Sequence, residues 1–153
     1  MNSETLQFLV LLLNFASAWM MVGLIWLIQV VHYPLFSLVG RDAFVAYAAQ
    51  HVRRITMLVA PIMLIELLSS IALCIVRPPA VEIWIVILGM VLVALAWIST
   101  WMLQIPAHEK LVSGFDSAVN LRLVRTNWIR TIAWTCHGIV TGWMCWMCLT
   151  AIA

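Results

Sequence analysis

The chain has 153 residues, of which 65% are hydrophobic and 9% charged, where a soluble domain carries roughly 25% charged residues. Too little polar material is present to cover a water-facing surface, so a soluble enzyme and a nucleic-acid binder are both excluded and the solvent is lipid. The formal net charge of +2 reflects how basic residues are placed around a membrane, and no nucleic-acid partner is expected.

At this length the chain is read as one integral membrane domain, 1–153, with its chemistry within the bilayer or at its rim. Met1 to Thr5 carries Glu4 and no Lys or Arg, so it lacks the basic head of a secretory signal peptide, and the apolar run behind it is read as a retained helix. Four stretches satisfy the need for about 20 apolar residues per span, approximately 6–31, 55–76, 81–103 and 129–152. Inside lipid each must be a helix, because every backbone polar group needs a partner within its own segment. The expected fold is all-α, a four-helix transmembrane bundle with no internal repeat.

On the first span Asn14 and His32 stand 18 residues apart, a whole number of helical turns. A long connection, 33–54, follows. From Arg41 or Asp42 the pattern is already helical, with Tyr47, His51, Arg54 and Leu58 at helical spacing, so the second helix is expected to project beyond the bilayer and to kink at Pro61. His51, Arg54, Glu66 and Ser69 share its broad polar face. Glu66 is the only acid well inside a span. An isolated carboxylate there is costly, so Glu66 is expected to be protonated, paired or turned to a wet cavity. Proton handling and a hydrogen bond to Asn14 or Ser69 both stay open.

Arg77, Pro78, Pro79 and Ala80 make a tight turn into the third span, where Trp97, Trp101, Gln104 and His108 follow i, i+4, i+7, i+11 spacing up to a break near Pro106. In the second long connection, 104–128, Ser113, Gly114 and Asp116 read as a break and an N-cap, and Val119 to Arg125 as a short interfacial helix. The fourth span carries Asn127, Arg130, Trp134, His137 and Thr141 in one stripe. Cys145 and Cys148 form a C-x-x-C, but the outer loop lacks the cysteines that a membrane thiol oxidoreductase needs, and all four cysteines lie in apolar runs.

Arg41, Arg53, Arg54, Lys110, Arg122, Arg125 and Arg130 fall at one end and Arg77 alone at the other. The positive-inside rule puts the two long connections in the cytoplasm and both termini outside, in the manner of a bacterial inner (plasma) membrane protein.

Polar chemistry gathers at that basic end. His32, His51 and His108 come from different helices to one level, a pattern suited to a transition metal or haem iron, or to proton transfer, while interfacial histidines that bind nothing are equally consistent with it. His137 lies deeper and is not taken as a ligand. Arg54 or Arg130 is expected to face a cavity and hold an anionic ligand, or to pair with Asp42, Glu109 or Asp116; the same residues would serve as anchors to headgroups. Trp101 and Trp134 are candidates to flank a flat aromatic or quinone-like molecule.

The runs Q-I-P-A-H-E-K-L from Gln104 and L-V-R-T-N-W-I-R-T-I-A-W ending at Trp134 resemble the third-loop and fourth-helix pattern of the anthrone-oxygenase-like family of small four-span membrane proteins. Pro106, Leu111, Asn127, Trp128, Arg130 and Thr131 carry the likeness; His108 stands where that pattern has asparagine. The resemblance implies the fold and the oxidation of an apolar aromatic substrate near Asn127 and Arg130. The leading expectation is a membrane oxidoreductase or oxygenase-like protein with His32, His51 and His108 as metal ligands or proton carriers, Gln104, Asn127, Arg130 and Glu66 acting on substrate, and Arg54, Trp101 and Trp134 holding a cofactor. The rivals are a non-catalytic subunit docked on a membrane-protein partner or a homo-oligomer, and a proton-handling or small-ligand protein using Glu66.

Overall fold

The computed structural model describes residues 2–151, so the Ile152 end of the fourth span lies outside the described residues. Four helical rods form an antiparallel bundle, each long and apolar enough to cross a membrane: Ser3–Leu38, Arg41–Ile75, Ile83–Val112 and Ser117–Thr150. The chain is an integral membrane protein. Its lipid-facing surface is rich in Leu, Ile, Val and Trp, including Leu27, Trp84, Ile139 and Trp146.

The first rod is α1 (Ser3–Leu27), a π-helical turn π1 (Ile28–His32), α2 (Tyr33–Leu35) and a 3-10 turn (Phe36–Leu38). Asn2 caps it by accepting from Thr5 N–H at 2.9 Å. The second rod is the single helix α3 (Arg41–Ile75), the third is α4 (Ile83–Ser99), π2 (Thr100–Gln104) and α5 (Ile105–Val112), and the fourth is α6 (Ser117–Thr150). At 1.5 Å per residue a 35-residue helix such as α3 is roughly 52 Å long, well beyond a hydrocarbon layer of about 30 Å.

Several sequence expectations change here. The connections 33–54 and 104–128 are mostly helix, reduced to turns at Val39–Gly40 and around Ser113–Gly114. Nothing between Ser117 and Thr150 forces a stop, so the expected separate interfacial helix is the first part of α6, capped by Asp116 through Ala118 and Val119 N–H. Gly114 has φ +152°, the one positive φ among the described residues, which accounts for a glycine at that turn. α3 continues through Pro61, the position at which the sequence predicts a kink. The third rod also passes Pro106 with no break.

The order of elements repeats, which the residues alone do not display: helix, π turn, proline, short helix, turn, long helix occurs twice. Pro34 and Pro106 account for the π turns. A proline has no N–H and its ring presses on the carbonyl four residues back. Widening the preceding turn relieves both, and Tyr33 N–H reaches Ile28 O while Ile105 N–H reaches Thr100 O, five residues back in each case.

Two apolar cores fill the bundle. One, at the end bearing the termini, centres on Leu11, Leu73, Ile85 and Met144; the other, at the basic end, centres on Met21, Ile25, Phe36, Phe44 and Leu123. Between them lies a polar layer in which the Asn14 amide donates to Ser70 Oγ at 2.8 Å, Ser69 Oγ at 3.0 Å and Glu66 O at 3.2 Å. Gly138 lets α6 approach α1: a Cβ there would stand 3.0 Å from Val22 and 3.5 Å from Trp19. Gly138→Leu is therefore expected to destabilise the bundle by about 1–3 kcal/mol, seen as a lowered unfolding midpoint in detergent. Gly23→Leu, where a Cβ meets nothing within 4 Å, should leave the midpoint unchanged.

Candidate functional site

Three imidazoles stand side by side at the basic end. His32 Nε2 and His51 Nδ1 share a hydrogen bond of 2.7 Å, and the rings of His51 and His108 are 5.3 Å apart. His108 Nε2 in turn shares a 2.9 Å hydrogen bond with the hydroxyl of Tyr33. Phe36, wholly buried, meets His32, His51 and His108 edge-on at 5.1 to 6.4 Å. A metal site needs lone pairs aimed at one point. Here His32 and His51 address each other and His108 addresses Tyr33, and among the described residues no three His, Cys, Asp or Glu side chains are arranged to hold a metal ion.

Arg130 is buried at 5% exposure. One of its NH groups donates to Asn127 Oδ1 at 3.3 Å, its guanidinium lies 4.9 Å over the Trp134 ring, and the Tyr33 hydroxyl is beside it. Among the described residues no carboxylate lies within ion-pair distance of it, so the expected pairing with Asp42, Glu109 or Asp116 does not occur. Its Nε has no partner. A guanidinium buried without a counter-ion is costly, and an oxygen anion would offset that cost.

Arg130 opens onto a cavity of about 190 Å³ between α3 and the third rod. Its walls are apolar, with Ile55, Val59 and Met63 from α3 facing Trp97 and Trp101. Tyr33, Gln104, His108 and Arg130 supply polar groups, with Thr56 and Thr100 beside them. Gln104 donates to Thr126 Oγ1 at 3.1 Å, while its Oε1 is buried and without a partner, as is Trp97 Nε1. The cavity is below the 300–1,000 Å³ usual for drug-sized ligands, which suits a small ring compound.

Other candidate residues fall elsewhere. Asn127 is spent on structure, donating to Gln29 Oε1 at 2.9 Å and accepting from Arg130, while Gln29 donates to Val124 O at 3.1 Å. Glu66 is fully buried in the middle layer and does not line the cavity. Its Oε2 accepts from Trp134 Nε1 at 2.8 Å and its Oε1 lies 3.6 Å from His137 Nε2. Trp134 thus separates Glu66 from Arg130 and does not flank the cavity, whereas Trp101 does flank it but is 65% exposed. Arg54 lies outside the cavity, on a groove between the first rod and α3. All four cysteines are free.

The sequence reading missed Tyr33 and Gln29. A lone amide inside an apolar span and a tyrosine before a proline at the span's end were the available signals. Comparison with protein-family models, with curated proteins and with solved structures gave no match.

Because Gln29 and Asn127 meet deep between two rods, Gln29→Leu and Asn127→Leu should be non-additive. A double-mutant cycle read by unfolding in detergent is expected to give a coupling of about 0.5–1.5 kcal/mol; additive losses would mean that the amides do not pair.

Proposed function

We propose that this chain is a membrane-embedded oxidoreductase of oxygenase-like type acting on a small apolar ring compound that carries an acidic hydroxyl or an enolisable carbonyl. The observation that supports this most is the buried, uncompensated Arg130 facing an aromatic-walled cavity beside the Tyr33–His108 pair. Arg130 holds the substrate oxygen as it gains negative charge, and His108 takes the proton, with the Tyr33 hydroxyl keeping its ring in place. Gln104 orients the substrate through its free carbonyl oxygen, and Asn127 positions Arg130.

The resemblance to the anthrone-oxygenase-like family adds the oxidation step. The substrate carbanion gives its electrons to dioxygen and a C–O bond forms; the peroxide anion takes the proton back from His108, and the hydroperoxide then loses water to leave a carbonyl. One oxygen atom ends in the product and the other in water. The seven basic residues at the site's end favour a cytoplasmic opening, with both termini outside and the inner membrane of a bacterium as the setting.

Anthrone supplied to air-equilibrated proteoliposomes tests this reading, with anthraquinone followed by absorbance. Oxidation above the protein-free rate is expected, and His108→Ala and Arg130→Gln should each lower it by about 10²-fold or more. A rate equal to empty vesicles, or one untouched by both substitutions, would overturn the proposal. Since the imidazoles are directed at each other and at Tyr33, purified protein is expected to carry no stoichiometric metal. Metal that vanishes in a His32, His51, His108 triple alanine variant would transfer those residues to a ligand role.

A further inference from the structure

A groove of about 420 Å³ opens to the lipid face between the end of the first rod and α3. It is separate from the cavity that contains Arg130, and Ile28 and Ile55 form the wall between the two. We propose that this groove is the seat of one anionic phospholipid, its phosphate on Arg54 and one acyl chain along Leu24, Leu27 and Leu58.

The polarity of the groove runs the way a lipid does. Towards the basic end it is lined by Tyr47, Gln50 and Arg54, and towards the bilayer interior by Leu24, Leu27 and Leu58. No carboxylate lines it, and among the described residues none lies within ion-pair distance of Arg54, so its exposed guanidinium is free for a phosphate. The volume lies within the range of ligand clefts. Arg122, an exposed base at the same end of the bundle, borders only a crevice of about 50 Å³ and offers no room for a chain. The groove is thus a place where charge and an acyl slot coincide, beyond the general attraction of basic residues for anionic headgroups.

The test is native mass spectrometry of the whole chain released from nanodiscs made of equal parts phosphatidylglycerol and phosphatidylcholine. One phosphatidylglycerol per chain is expected to survive release in preference to phosphatidylcholine. Arg54→Gln should lower its retention about five-fold, whereas Arg122→Gln should leave it unchanged. Leu27→Trp, which keeps the charge and fills the apolar end, should also expel the lipid. Equal retention of the two lipids, equal loss in the two arginine variants, or full retention in Leu27→Trp would each overturn the proposal. The outcome is independent of anthrone oxidation, so failure of either reading leaves the other standing.

Discussion

In lipid, the apolar faces of four helices gain little from one another that acyl chains would not also provide, so the choice of neighbours falls to close packing and buried polar contacts. The bundle places those contacts in layers. Asn14 fastens α1 to α3 through Ser69 and Ser70, Trp134 fastens α6 to α3 through Glu66, and Gln29 fastens the first rod to α6 through Asn127 and Val124. Each layer joins a different pair of surfaces, so sliding one rod along another would leave several polar groups without partners at once. Gly138 adds the packing counterpart, a point where only a missing side chain allows the approach of α1.

The candidate site depends on how two of the rods leave that bundle. A π turn advances the helix by an extra residue, and the face that was directed inwards is rotated for all that follows. After π1 it is Tyr33, at 3% exposure, that enters the interior beside Arg130, while His32 is left half-buried against His51. At the end of π2 it is Gln104, at 1% exposure, that turns in. The prolines that cause the π turns are therefore part of the site although they touch none of its chemistry. Both prolines lie within short helices, α2 and α5, and the basic end is closed beside them by the Phe44 and Phe115 rings, 4.9 Å apart.

This also marks where the amino-acid sequence was readable. Asn127, Arg130, Trp134, His137 and Thr141 were placed on one inward stripe, and all five are buried, because α6 keeps a regular period from end to end. On the third rod the stripe Trp97, Trp101, Gln104 and His108 does line one cavity, although Trp101 is mostly exposed; on the first rod the residues beyond π1 leave the period that runs from Asn14, and Tyr33 is passed over. The four spans followed from hydropathy, which depends on composition and not on phase. Which acids and bases would meet was not legible: Glu66 and Arg130 share the interior, yet spacing along separate helices says nothing of the ring that stands between them.

That ring explains how a buried arginine can stay available. A guanidinium and a carboxylate in the same low-dielectric interior would ordinarily pair, and such a pair would leave nothing for a ligand. Trp134 prevents it by presenting its N–H edge to Glu66 and its face to Arg130. Cation–π attraction of about 0.5–2 kcal/mol holds the guanidinium in position but supplies no negative charge, and Asn127 supplies only an amide oxygen. Glu66, for its part, is left to Trp134 and His137 in a layer of its own. The two polar layers are thus joined mechanically and kept apart electrostatically, so the cation at the cavity stays oriented but unneutralised, which is the condition for binding an oxygen anion there.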